Sequence, residues 1–533
     1  MISKKSPTDT CRAESRRGFL KGSVGLVAGA AAAQLLPSQV AAQNAANPGM
    51  AQNLRNASTN GRPILLKDGI VLSLDRQVGD FAKADVLIQG KKIMSIGPNL
   101  TAPAQAVVVN AAGMIVMPGF VDTHHHQYET VMRSIIADGM FGGNQDRLPA
   151  RHYGSVMGQT FTPLYTPEDA RVAELIASLS QINDGVTTTV DTSQVQLSPE
   201  HTDACIAGLQ ESGRRCLFTY GANGQNAASK TPVELARLRK QYFSSDDQLL
   251  TLAANTGVTP EAFQMARAAG VPTVSHCQGG PNFNEPAIIK SGLMGPEHEY
   301  IHCTRISKEL FDAIRDTGGH VSIATAIEMQ MGHAHPPFQE CLDRGIRPSL
   351  SVDVECNMTA DSFTEMREAF TWQRAMVNER IIQGEQNVPP LLTSREVVEF
   401  ATIEGAKCAH IDSKVGTLTP GKEADIILLT TGLNVTPLNN VPGAIATLMD
   451  TSNVDSVFIA GKVMKWQGKM VGVDVNKVLQ EANKSAQGLI ARSGYNNSLF
   501  DTCCSGPLLT GPQRAALKLE DIKSGRTPGA GGN

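Results

Sequence analysis

The stretch Pro118 to Glu129, PGFVDTHHHQYE, runs an apolar segment straight into three consecutive histidines. On a β-strand, side chains two apart share a face, so His124 and His126 can enter one cavity while His125 points away. A lone HxH pair is weak evidence for a metal. The pattern gains force downstream: VPTVSHCQ ends in His276, EYIHCT places His302 after a short apolar run, and RPSLSVDVE ends in Asp353. Imidazoles with a carboxylate are the donor set of Zn2+, or of Fe2+ or another divalent ion. One such ion is the expected cofactor.

Those side chains can meet only if the elements carrying them converge. Between about Pro118 and Cys408, short apolar strands alternate with helical stretches such as PEDARVAELIASLSQI and SKELFDAIRDTG. The strands, in order, are IVMPGFVDTH, GVTTTVDT, CLFTYG, LLTLAAN, VPTVSH, EYIHC, GHVSIATA and RPSLSVD. This predicts an α/β chain with a (β/α)8 TIM-type barrel, whose strand ends gather at one mouth. A doubly wound open sheet is disfavoured, because no Gly-rich phosphate loop follows the first strand. Alternating strands before it (ILLKDGIVLSLD, ADVLIQGKKIMSIG) and after it (VGTLTPGKEADIILLTT, VDSVFIAGKVMKWQGKMV) predict a small β-sandwich domain built from both ends of the chain. The expected division is an export signal over 1–42, a linker over 43–61, sheet domain over 62–117 and 411–472, barrel over 118–410, and a helix with a flexible tail over 473–533.

Bulk properties exclude several classes. A net charge of -4 and a pI near 6.3 offer no basic field for nucleic acid, so the expected partner is a small molecule. The leader contains SRRGFLKGSVGLVAGAAAAQLLPSQVAAQ, with paired Arg16 and Arg17, a Gly/Ala-rich run and small residues at Ala41 and Ala42. This resembles a twin-arginine signal and implies a periplasmic or secreted protein exported already folded. The run falls short of the about 20 residues a membrane span needs, and the mature chain is expected to have none. Ten cysteines at irregular spacing, one of them in the leader, form no disulfide framework. Association into a homo-oligomer stays open.

The quoted motifs, together with GTLTPGKEADIILL, resemble the amidohydrolase superfamily, in its cytosine deaminase and triazine hydrolase-like branch, over roughly residues 62 to 472. The resemblance implies that His124, His126 and His276 bind the metal. Asp353 is then both a ligand and the group that handles the water proton, and His302 polarises the substrate or orients the attacking water. The fourth strand, LLTLAAN, has no lysine, so the carboxylated-lysine bridge of binuclear relatives has no candidate. Deaminases of this branch carry a glutamate three residues after the fifth-strand histidine, and that position is Gly279 here. Gln278, one residue off, is expected to face another way. Gln278, Glu328 and Arg133 are the candidate substrate contacts. His333 and His335 read as rim or surface, Glu355, Asn357 and Asp361 as mouth or solvated loop, and Phe161, Tyr165 and Trp372 as core or pocket wall. The expected activity is metal-dependent hydrolysis of a non-peptide carbon–nitrogen bond in an amide, urea, carbamate or cyclic amide. The alternatives are a deaminase or dechlorinase of a heteroaromatic ring, and an inactive metal- or solute-binding protein.

Overall fold

The computed structural model describes residues 49–141, 152–221 and 227–500. The leader read over 1–42, the tail beyond Phe500, Cys503 and Cys504 lie outside the described residues.

Two sheets organise the chain. The first contains β1 (Ile64–Val71), β2 (Phe81–Gln89), β3 (Lys92–Gly97), β4 (Val107–Asn110) and β5 (Ile115–Pro118). The second contains β6 (Phe120–His125), β7 (Val186–Asp191), β8 (Arg215–Tyr220), β9 (Leu250–Asn255), β10 (Thr273–Cys277), β11 (His298–His302), β12 (His320–Ile323) and β13 (Ser349–Leu350). The chain then returns to the first sheet with β14 (Ile426–Leu429), β15 (Val454–Ile459), β16 (Lys462–Trp466) and β17 (Lys469–Met470). The two ends join where β14 runs antiparallel to β5, Ile426 opposite Pro118 and Leu429 opposite Ile115. Nine strands form this sheet, in the order β17-β16-β15-β14-β5-β1-β2-β3 with β4 on β1.

The stretch IVMPGFVDTH, read as one strand, is two. It divides at Gly119, where a Cβ would stand 2.2 Å from Thr187 Cγ2, so only glycine lets the chain cross from one sheet to the other. The region 43–61, read as a linker, contains a helix, Met50–Thr59, that buries Leu54 and Ala57. Its four apolar contacts, Met50, Ala51, Leu54 and Ala57, recur at helical spacing within an otherwise polar run.

The eight parallel strands β6 to β13 pair in chain order. The ring closes because Asp353 N–H donates to His124 O at 2.9 Å and His126 N–H donates to Asp353 O at 2.8 Å. Val121, Val190, Leu217, Ala253, Val274 and Ile301, one from each of β6 to β11, pack together with Ala406, Ala409, Ile411 and Val415. Each fully buried aliphatic side chain of this kind contributes roughly 1.5–3 kcal/mol. Arg215 at the start of β8 donates to Asp425 at 3.0 Å and to Glu423 at 2.7 Å, a buried ion pair tying the barrel to the segment that leads into β14. The helix Val475–Ser493 docks on the helix Pro167–Asn183, with Ser485 donating to Asp169 at 2.6 Å and Arg492 paired with the same carboxylate. No helix among the described residues is long and apolar enough to cross a membrane.

Candidate metal centre

Three local devices aim the functional side chains. On β6 the ladder with β7 slips between Asp122 and His125, which lie opposite Thr189 and Asp191, so one extra residue enters β6. Thr123 points across the barrel, 2.7 Å from Ser322 and 2.9 Å from Ser349. The extra residue lets His124 and His126 turn into the mouth above it. His125 faces away, its Nδ1 3.5 Å from Asp122 and its Nε2 3.4 Å from Glu355. On β10 plain alternation suffices, with Val274 in the core and His276 two residues on. At the ends of β11 and β13 the backbone enters the left-handed region, φ 70° at His302 and 60° at Asp353. That conformation costs a non-glycine residue roughly 1–2 kcal/mol and clusters at functional sites. It rotates His302 out of the alternation set by Ile301.

The result is one compact cluster. Asp353 Oδ1 lies 3.0 Å from His124 Nε2 and 3.4 Å from His126 Nε2, and its Oδ2 lies 3.7 Å from His302 Nε2. The His276 ring sits 4.8 Å from that of His124 and 5.4 Å from that of His126. Ligand atoms of His124, His126 and Asp353 lie within 4.8 Å of one another, as do those of His124, His276 and His302. Burial, reinforced by the neighbouring His124, holds the His126 imidazole well below its usual range, and burial followed by His124 pushes His276 down to about 3. Burial likewise lowers His302 strongly. These rings are neutral, the form that ligates a metal. Asp353 is held well below the usual carboxylate range: burial opposes ionisation, but the surrounding His124, His302 and His126 rings outweigh it.

Outer contacts orient both rings and fix the tautomer of His126. Thr192 O accepts from His126 Nδ1 at 2.8 Å, and Thr192 Oγ1 lies 2.9 Å from His124 Nδ1. The carbonyl leaves the His126 Nε2 lone pair facing the cluster, the Thr192 hydroxyl can donate to or accept from His124 Nδ1, and His124 Nε2 is buried with no hydrogen-bond partner. An orphaned imidazole nitrogen aimed at a carboxylate and two neutral rings fits a divalent cation held by His124, His126, His276 and Asp353.

The cluster floors a small cavity of about 40 Å³ walled by Phe141, Tyr153, Met331 and Val354, with Gln278 and His333 among its polar lining. The other sequence candidates fall as follows. Gln278 lines the cavity, contrary to the alternation argument, because β10 ends at Cys277 and period-2 facing stops there. Glu328 lines none of it. It is fully buried behind His302, its Oε1 3.0 Å from His302 Nδ1, and burial raises its carboxyl well above the usual range. Arg133 lies outside the cavity and pairs with Glu355, which also accepts from Thr130 at 2.9 Å. Burial opposes ionisation of Glu355, but His125 and Arg133 pull it down to about 2. Asn357 donates to Ile136 O at 2.8 Å, and Asp361 caps the helix Ser362–Ile382. Phe161 and Tyr165 are core, and Trp372 packs on His335 away from the cavity.

His333 was read as rim or surface, yet it is buried, 5% exposed, and its ring lies 4.8 Å from that of His302. The sequence held one signal for it, a repeat of the HxH spacing, which a loop before two prolines made unpersuasive. Gly279 has no room for a side chain: a Cβ there would stand 1.7 Å from Arg305 O. The acid expected of a ring deaminase at that place is sterically excluded.

The profile of the Amidohydrolase family matches residues 115–464. A 5'-deoxyadenosine deaminase of Methanosarcina mazei is 25% identical over 455 residues, covering 80% of this chain and 99% of that protein. A 5-methylthioadenosine/S-adenosylhomocysteine deaminase of Pelotomaculum thermopropionicum is 23% identical over 465 residues, 80% of this chain and 99% of its own length. Among solved structures, the zinc complex of an atrazine chlorohydrolase from Arthrobacter aurescens TC1 aligns with a TM-score of 0.68 at 20% identity, covering 79% of this chain and 100% of that one. An adenosine deaminase from Xanthomonas campestris with bound zinc aligns with a TM-score of 0.68 at 17% identity, over 80% and 98%. The two structures share the fold.

Proposed function

The chain belongs to the amidohydrolase family, and on that footing we propose that it hydrolyses a carbon–nitrogen bond in a small uncharged organic molecule with one divalent cation, zinc, held by His124, His126, His276 and Asp353. The observation that carries this reading is the position of Asp353, whose two oxygens divide between the His124–His126 pair and His302. A cation at that point supplies Lewis acidity and lowers the pKa of a water to about 7.

The protein's own groups do the rest. Asp353, ionised and buried, takes the proton of the attacking water and returns it to the departing nitrogen. His302, its Nδ1 held by Glu328, directs Nε2 at the reacting centre and stabilises charge that builds on the substrate's oxygen or ring nitrogen. A donor of this kind is typically worth about 2.7–4 kcal/mol. Among the described lining residues Asp353 is the one carboxylate, and no lysine or arginine is present, which suits an uncharged substrate. Phe141, Tyr153 and Met331 would exclude water around it.

A second reading, deamination or dechlorination of a heteroaromatic ring, is favoured by the names of the relatives, deaminases among them. The closed space at Gly279 weighs against it, since ring protonation would need a donor from elsewhere. The paired-arginine leader supports a periplasmic or secreted location, with the metal loaded before export.

A product screen decides between the readings. Zinc-loaded protein is incubated with amides, ureas, carbamates and aminated or chlorinated heterocycles, and the products are read by mass spectrometry. A released amine, ammonia or halide identifies the bond cleaved. Asp353→Asn should abolish turnover while the protein stays folded. Wild-type rates in that variant, or in chelator-stripped protein, would defeat the proposal.

A further inference from the structure

His333 stands where nothing in the mechanism above uses it. It follows the helix Thr325–Gln330 through Gly332, and its backbone is pinned by donation to Glu328 O at 3.0 Å. Phe141 packs on one side of its ring at 4.8 Å and His302 meets it edge-on at 4.8 Å. The ligand-capable atoms of His302, His333 and Asp353 all lie within 4.8 Å of one another. That geometry alone would suit a metal ligand. The hydrogen bond on the ring's other nitrogen argues otherwise: the Gln278 amide nitrogen lies 3.0 Å from His333 Nδ1 and donates to it. In a neutral imidazole an accepting Nδ1 leaves the proton on Nε2, which then has no lone pair for a cation.

We propose that His333 is a further catalytic residue, whose Nε2–H donates to the substrate atom that becomes electron-rich as water attacks, and that Gln278 is the positioning residue that fixes its tautomer. The inference rests on the hydrolytic reading above and adds a second donor beside His302. Together they would grip the developing charge from two directions, with Asp353 managing the proton.

The test uses full-length zinc-loaded protein and two probes, para-nitroacetanilide and an amino-substituted chloro-s-triazine. His333→Phe keeps a planar ring but removes the donor, and should lower kcat about 100-fold with KM and zinc per chain held. His333→Gln, which restores an N–H, should recover part of that loss. Gln278→Met should lower kcat in the wild type and add little in the His333→Phe background. Independently of turnover, NMR of 15N-histidine-labelled protein should find His333 in the Nε2–H tautomer, and Gln278→Met should abolish that preference. Loss of zinc in His333→Phe, an Nδ1–H tautomer in the wild type, or unchanged kcat in both variants would overturn the assignment. Where neither probe is turned over, the tautomer and zinc measurements decide it. Persistence of wild-type turnover after zinc removal would instead defeat the hydrolytic reading itself.

Discussion

Gly279→Ala should damage this protein far more than a single methyl normally does. The new Cβ would stand 1.7 Å from Arg305 O and 2.4 Å from its carbonyl carbon. Ordinary contact lies about 2 Å further out, and neither partner is a flexible side-chain tip. The two segments are also zipped together, since Gly279 N–H donates to Thr304 O at 2.8 Å. They cannot part without dragging the ends of β10 and β11, where Cys277 pairs with His302 and His276 with Ile301. Overpacking costs about 1–3 kcal/mol, and losing the hydrogen bond adds about 1 kcal/mol. A ligand displaced by about 1 Å costs on the order of 100-fold in rate. The expected result is about 2–4 kcal/mol of destabilisation in urea unfolding of the zinc-saturated protein, with kcat/KM down by about 100-fold. Gly280→Ala is the control, because a Cβ there meets nothing within 4 Å; it should stay within about 0.5 kcal/mol of wild type. If Gly279→Ala matches Gly280→Ala in stability and rate, the close approach that closes this position to a side chain is refuted.

Two further outcomes follow from the contacts around the site and the fold. Thr192→Val removes the hydroxyl beside His124 Nδ1 while keeping the carbonyl that holds His126; zinc affinity, read by chelator competition, should fall about 10–100-fold. Burial pushes the Asp184 carboxyl up to about 7 against the pull of Asn183 and Lys465. Its protonated form therefore stabilises the fold fully below about pH 3.8, and that contribution is lost as pH rises to about 7. Asp184→Asn should then gain at least about 1 kcal/mol over wild type at pH 8 and little at pH 3 to 4, in denaturant titrations at both pH values.

Much of the architecture was legible because it depends on local pattern. The eight barrel strands occupy the stretches where short apolar runs alternate with amphipathic helices, and His276 follows from plain alternation with Val274. The rest depends on backbone events that composition does not encode. The extra residue in β6 turns both His124 and His126 inward, a facing that simple alternation predicted for a different reason. Left-handed backbone at His302 and Asp353 breaks alternation where the chemistry needs it. Gln278, a candidate substrate contact, does line the cavity, and only its expected facing fails, because a strand rule does not extend past the strand's end. Glu328 was assigned to the pocket because its partner, His302, lies 26 positions away in sequence. His333, expected at the pocket rim or surface, lies deeper because a loop's path is set by what it packs on, here Phe141 and His302. The helix Met50–Thr59 was missed because four small or flexible apolar residues in a polar run carry little signal until a sheet is there to receive them.

The proposed role of His124, His126, His276 and Asp353 is to hold one divalent cation. Metal analysis of the purified full-length protein, beside its His124→Ala and His126→Ala variants, tests it most directly. About one zinc or similar ion per chain is expected in the wild type, and that ion should be lost, with turnover, in each variant. A folded, active protein without metal, or variants that retain the full complement, would contradict it.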